Sequence, residues 1–221
     1  MTDGGGVLHE DEVWRVIDAE RAGLADLLDD LSPDEWDTPS LCAGWRVRDV
    51  AAHLTLAHMP PTTAVMEMLR ARGSFHRMIH DSAVRQAELP APEFARSLRA
   101  MVGSRRKAPG VTPLEPLIDV LVHGQDIAVP LGRRRPVPAR SAAVAASRVW
   151  TTNWPFRTRA RLRGLRLVAT DTDCTLGEGA DVAGPAGQLL LLVTGRPVAP
   201  GTFTGEGAGL LAARLAAPAA G

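Results

Sequence analysis

The stretch LEPLIDVLVHGQDIAVPLG, residues 114–132, decides how this chain is read. Its apolar residues recur at helical spacing, and Asp119, His123 and Asp126 stand at i, i+4 and i+7. At about 100° per residue, these three polar side chains fall within roughly 60° of arc. Val120, Val122 and Ile127 flank the stripe, and Leu114, Leu117, Ile118, Leu121 and Ala128 cover the far side. A helix lying on the surface of a core shows a broad polar face. This one is apolar almost all round, with a narrow line of acid and imidazole. A carboxylate and an imidazole one turn apart lie one above the other and can grip one divalent cation. An exposed polar edge with an Asp–His pair fits the same stripe, so the helix alone leaves both readings open.

A second segment bears on that choice. SLCAGWRVRDVAAHLTLAHM, residues 40–59, reads as a loop followed by a helix. Pro60 and Pro61 end it, because proline lacks the N–H donor and clashes with the preceding turn. His53 neighbours Val50, Leu54 and Ala57, at the edge of the buried face. A lone histidine there fits a satisfied core residue. Facing the stripe at 114–132, it completes a set of three: His53, Asp119 and His123. Three protein ligands with one open position form a catalytic divalent site, in which bound water or a thiol becomes a nucleophile. Helical bundles build such sites from facing helices.

SLCAGWRVRDVAAHL followed by DxxxHGQDIAxPLG resembles the mycothiol-dependent maleylpyruvate isomerase family, within the broader DinB-like metal-dependent superfamily. The tail, LLLLVTGR and a Gly-rich stretch, resembles that family's small sterol-carrier-like domain. The resemblance spans roughly the whole chain. It implies a DinB-like four-helix bundle, a divalent metal (usually zinc) and mycothiol as cosubstrate. Carried over residue by residue, the metal ligands fall on His53, Asp119 and His123. One position departs from the family, whose acid is usually Glu where this chain has Asp119; the shorter arm bears on how well a metal is held.

The 221 residues carry no net formal charge, with 25 basic and 25 acidic side chains. A general nucleic-acid binder shows a basic excess, so that class is set aside. The length suffices for a buried core. No apolar run reaches the length of a membrane span, and MTDGGGVLHEDE lacks the basic and apolar regions of a secretory signal. The expectation is a cytoplasmic protein that does not engage membranes. Cys42 and Cys174 are far apart, and a structural disulfide is not expected in a reducing compartment. Cys42 reads as a small buried hydrophobe. The single lysine, Lys107, against 24 arginines suggests a GC-rich coding sequence, which fits a mycothiol-using bacterium.

Along the chain, Val13, Ile17, Leu24, Leu27, Leu28 and Leu31 mark a first amphipathic helix. Ser32-Pro33-Asp34-Glu35 reads as a capped helix start, with Ser at N-cap and Glu at N3, carrying Trp36. Helical pieces follow at 62–71 (Val65, Met66 and Leu69 inward), 75–87, 90–107 (Phe94, Leu98 and Met101 buried) and 141–154. After about residue 160 the pattern alternates. Residues 165–169 read as a strand, Asp171-Thr172-Asp173 as a turn, and 174–176 and 182–184 as further strands. Helices are expected at 188–194, closed by Gly195, and at 207–215. This segregation predicts α+β organisation: a metal-binding bundle over residues 1–158 and a small mixed α/β domain over 159–221.

Other polar residues are weighed in the same way. His76 and His80 are spaced i, i+4, but Arg77, Asp81 and Arg85 make their face wet. His58 points to another side than His53, and His9 lies near the N-terminus. Asp126 suits a supporting role, holding an imidazole N–H or a helix end. Trp45 packs its loop against the bundle. The run Arg133-Arg134-Arg135 reads as a solvated loop. Arg196 is the candidate catalytic residue, reaching across an interdomain cleft to a substrate carboxylate, since the guanidinium fork suits that geometry. No G-x-S-x-G elbow, P-loop or dinucleotide fingerprint is present.

The functional expectation is a metal-dependent isomerase or thiol S-transferase using mycothiol and a small electrophile. Two alternatives remain at this stage: a non-catalytic small-ligand-binding protein with weak or lost metal, and a metal-dependent hydrolase on the same scaffold. The sequence does not specify the oligomeric state.

Overall fold

The computed structural model describes residues 8–107, 110–199 and 201–217. By compactness the chain forms two units, one of them Glu10–Arg135 and the other built on the residues from Pro136 onward.

Among the described residues the first unit is helical, with α1 (Glu10–Asp29), α2 (Val47–Thr55), α3 (Pro61–Arg70), α4 (Phe75–Gln86), α5 (Pro92–Ala100) and α6 (Leu114–Ala128). Four of these close a ring: α1 packs on α5 and α6, and α2 packs on the same two. α4 lies against α2, and α3 against α4. Leu24, Leu28, Val50, Leu54, Phe94, Leu98 and Ile127 fill the core with Trp36 and Trp45. Phe94, Leu98 and Met101 are buried as their spacing predicts.

Local signals explain the helix ends. Glu35 accepts from both the N–H and the hydroxyl of Ser32, at 2.8 and 3.0 Å, which is the acidic half of the expected capping box; the Ser32 hydroxyl is spent on Glu35 and caps no backbone N–H, and the short 3₁₀ turn at Glu35–Asp37 has Asp34 at its N-cap. Asp49 accepts from the Arg46 N–H at 2.9 Å and fixes the start of α2. α2 ends before the expected stop at Pro60-Pro61. The helix ends at Thr55, a 3₁₀ turn covers Leu56–His58, and Pro61 then opens α3 at a position where no N–H is needed.

α6 has the bounds its pattern implies. Gly124 is small for a packing reason. A Cβ there would meet Arg135 Nε at 2.9 Å. Arg135 is pinned across the helix, donating from Nη2 to Glu20 O at 2.8 Å while its own carbonyl accepts from Gln125 Nε2 at 2.8 Å.

Two expectations need correction in this unit. Val65, Met66 and Leu69 do not face inward; Leu69 is 69% exposed. The buried position on α3 is Glu67, which pairs with Arg70 and with Arg85 of α4, so a satisfied carboxylate takes the inner face. The arginine run is not a solvated loop. Arg133 pairs with Asp30 and Glu35, and Arg135 with Glu20, which ties the segment after α6 to α1 and its following turn.

The second unit holds α7 (Ala139–Thr152), α8 (Thr158–Arg161), β1 (Leu165–Ala169), β2 (Thr175–Gly177), β3 (Ala180–Gly184), α9 (Ala186–Val193) and α10 (Ala208–Ala216). The sheet order is β2-β1-β3, with β1 antiparallel to β2 and parallel to β3. This is the mixed domain the alternating pattern indicates. α9 is apolar almost throughout and packs on α7 and β1. Thr158 Oγ1 donates to Val193 O at 2.8 Å and Arg161 Nη2 to Leu192 O at 3.0 Å, so the last carbonyls of α9 are satisfied. The packing of α7 on α9 sets the division by contacts at Arg135/Pro136, earlier in the chain than the expected 158/159.

Candidate metal centre

α2 and α6 face each other in the ring, and their contact brings three sequence-predicted side chains together. His53 Nε2 lies 3.3 Å from Asp119 Oδ1, and His123 Nε2 lies 3.4 Å from the same oxygen. One ligand atom from each of His53, Asp119 and His123 falls within 4.8 Å of the others. The shorter arm of aspartate therefore still reaches between both imidazoles.

Asp126 stands behind His123. It is 0% exposed, and the His123 Nδ1–H donates to its Oδ2 at 2.8 Å. This bond keeps a proton on Nδ1 and leaves Nε2 as the ring nitrogen turned toward Asp119. Side-chain exposure rises from 11% at His123 through 18% at His53 to 33% at Asp119, so the cluster opens to solvent on the Asp119 side.

Charge is strongly coupled here. Burial opposes a negative Asp119, but His53 and His123 outweigh it and hold the carboxyl well below the usual carboxylate range. Burial likewise opposes a charged His123, yet hydrogen bonds and charge from Asp119 and Asp126 push it up to about 9. Without a metal, the positive charge sought by these carboxylates is a proton on an imidazole. Two imidazole nitrogens and one carboxylate oxygen converging from two helices, with one ring held by a carboxylate behind it, form a donor set that fits a divalent cation.

The remaining predicted residues lie elsewhere. Cys42 is half-buried against the apolar core. His76 and His80 are exposed, as their wet face implies, although the His80 ring centroid comes within 6.4 Å of that of Trp45. His58 sits in the 3₁₀ turn after α2; its Nε2 is buried without a hydrogen-bond partner, and burial, then the charges of Arg21 and Arg106, lower its pKa. Arg196 belongs to the second unit, where Nη1 donates to Thr194 O at 3.0 Å.

Two residues near the cluster escape the sequence reading. Arg21 is 4% exposed, donates to Met101 O at 2.9 Å, and its charge acts on Asp119. Its signal was legible: it falls on the apolar stripe of α1 after Ile17 and before Leu24 and Leu28. Trp45 does more than pack its loop. Its indole lies against His53 and His123, with ring centroids 5.1 and 6.1 Å away.

Fold and cluster together define a helical-bundle protein with a two-histidine, one-carboxylate cluster between facing helices. Residues 17–113 match the model of the mycothiol maleylpyruvate isomerase N-terminal domain family. That match contains His53 and ends before α6, which supplies Asp119 and His123. Among solved structures, the crystal structure of the mycothiol-dependent maleylpyruvate isomerase is similar with a TM-score of 0.62 at 14% identity, over 90% of this chain and 93% of that one. A histidine-to-alanine mutant of that isomerase gives 0.61 at 13% identity, over the same shares. At these identities the likeness is one of fold. Comparison with curated proteins finds no match. No helix among the described residues is long and apolar enough to cross a membrane.

Proposed function

We propose that this protein is a metal-dependent enzyme that uses mycothiol to act on a small electrophile, as an isomerase or a thiol S-transferase. One observation carries the reading: the ligand atoms of His53, Asp119 and His123 converge within 4.8 Å from two helices. The match of residues 17–113 to the mycothiol maleylpyruvate isomerase N-terminal domain model supports mycothiol as the thiol, and a thiol of that kind fits a cytoplasmic setting.

Zinc suits two imidazoles and a carboxylate, and when bound it supplies Lewis acidity that favours the ionised form of a thiol. His53 and His123 would hold it through their Nε2 atoms, and Asp119 would offset its charge. Asp126 keeps the His123 Nδ1 proton in place. The open side at Asp119 admits the thiol. The thiol sulfur is then the nucleophile, and no protein cysteine is required. In an isomerase the thiolate forms a carbon–sulfur bond at one alkene carbon while the π pair moves onto the conjugated electron-withdrawing group; the resulting single bond rotates, and the pair returns to re-form the alkene and expel the thiolate with the geometry changed. In a transferase the carbon–sulfur bond is kept, and either a leaving group departs with its bonding pair or the adduct takes up the proton that the thiol gave up. Arg196 is kept as the candidate for binding a substrate carboxylate, because a guanidinium fork can bond both oxygens at once.

The test is a panel of small electrophiles with zinc-loaded protein, with and without mycothiol. Turnover is expected only with the thiol, and Cys42→Ala is expected to retain it. Turnover without thiol supports the hydrolase reading and overturns this one. Arg196→Lys is expected to raise KM for carboxylate-bearing electrophiles more than for neutral ones; an equal effect on both removes Arg196 from the site.

A further inference from the structure

Trp45 is a large ring buried against two imidazoles. Its plane lies 48° from His53 and 29° from His123, and the two imidazoles meet edge-on with centroids 4.8 Å apart. The three rings form one packed group.

The loop before α2 is built around this ring. Ser40 donates to Trp45 O from both its amide and its hydroxyl, at 2.9 and 2.8 Å. The Trp45 N–H returns to Cys42 O at 3.0 Å. Gly44 supplies the left-handed φ of +82° that lets the chain turn into Trp45, a conformation costly for other residues. The loop is also tied to α6: the Leu41 N–H donates to Asp126 O at 3.2 Å, and the Asp126 carboxylate holds His123.

The two imidazoles are supported unequally. His123 has Asp126 behind it. Among the described residues, the His53 side chain hydrogen-bonds only to Asp119. The last torsion of a histidine is broad and weakly set by rotamer preference. Something else must hold the His53 ring, and the indole is the group that packs on it.

We infer that Trp45 is a positioning residue: it fixes the ring planes of His53 and His123, and the 40–46 loop exists to place it there. This rests on the metal reading above. A ring free to swing loses ligand geometry, and supporting groups of this kind are worth about 10–100-fold in metal affinity.

The experiment compares Trp45→Phe, which keeps an aromatic face, with Trp45→Leu, which keeps apolar bulk without one. Trp36→Phe and Trp36→Leu serve as core controls. Zinc affinity is read by competition with a chromophoric chelator. Trp45→Leu is expected to weaken it by about tenfold or more, Trp45→Phe by about threefold or less, and the Trp36 pair to leave it unchanged. Cobalt is expected to quench indole emission strongly in the wild type and much less in Trp45→Phe. Wild-type affinity in folded Trp45→Leu, or an equal loss in Trp36→Leu, overturns the inference while leaving the metal site standing. Should Trp45→Leu not fold, Ser40→Ala decides, since it loosens the loop without removing core volume; wild-type affinity there overturns the inference. A wild type that takes up no metal overturns the metal reading and this inference together.

Discussion

Helices α4 and α6 each carry two potential ligands one turn apart, and they meet opposite fates. On α4, His76 and His80 are exposed, and His80 pairs with Asp81 at 3.1 Å in solvent. On α6, Asp119 and His123 are turned toward α2, with Asp126 fully buried behind them. Spacing is the same in both. The difference is the rest of the helix. α6 is apolar on nearly every other face, so it must be enclosed, and enclosure brings His53 from a second helix. α4 has charged neighbours and can leave its histidines in water. A pair at i, i+4 becomes a site when burial supplies the third ligand and removes competing water.

The largest effect that separates the two helices is loss of metal. Wild-type protein is expected to hold close to one divalent ion per chain, with His53→Ala and His123→Ala losing it and His76→Ala and His80→Ala keeping it. Elemental analysis after reconstitution and desalting decides; retention in the first pair, or loss in the second, breaks the contrast.

Within α6 the ranking continues. Asp119→Ala is expected to weaken zinc binding most, because it removes the charge nearest the ion. Asp126→Asn, which acts through His123, is expected to cost about 10–100-fold. Asp119→Glu is expected to preserve or tighten binding. Competition titrations that rank Asp126→Asn as the more damaging change would falsify this assignment and make Asp126 the ligand.

Protons give a third contrast. The folded pKa of His123, about 9, lies above its ordinary 6.5. Its charge therefore stabilises the metal-free fold fully below about pH 6.5, and that contribution fades as pH rises through about 9. Asp119, held low, acts in the other direction: its contribution is present above its ordinary 3.8 and is lost as pH falls toward its depressed folded value. Metal-free Tm is expected to decline on the alkaline side in the wild type and less so in His123→Gln, with His80→Gln following the wild type. Zinc affinity is expected to climb toward pH 9 as the imidazole loses its proton. A flat alkaline Tm profile in the metal-free wild type excludes the charged His123.

The smallest effects lie on α3. Leu69→Ser is expected to change stability by about 0.5 kcal/mol or less, as for other exposed positions. Glu67→Gln removes the charge of a buried carboxylate that pairs with two exposed arginines and is expected to cost more. Denaturant midpoints for the two variants check the order, and the reverse order shows that the apolar face of α3 is covered in solution.

The α6 helix with its stripe, the pairing of Ser32 with Glu35 and the alternation of β1 were legible, because each rests on periodicity or on a contact within a few residues. Arg21 was legible in principle, as a charge on an apolar stripe, but a stripe does not say what neutralises the charge. The burial of Glu67 was not legible. Its arginine partner Arg85 comes from another helix, and the pairing outweighs the apolar pattern of α3.

By itself the sequence determined a helical unit followed by a mixed one, and it named His53, Asp119 and His123 as the residues to bring together. Only the tertiary structure decided that α2 and α6 meet, that Asp119 lies between both imidazoles, that Asp126 stands behind His123, and that Trp45 lies on both rings. The physical reason is range. Local propensity and amphipathic spacing act over one or two turns, whereas a ligand set, a buried counter-charge and a ring stack depend on residues far apart in sequence, whose contact is settled only when the whole core packs.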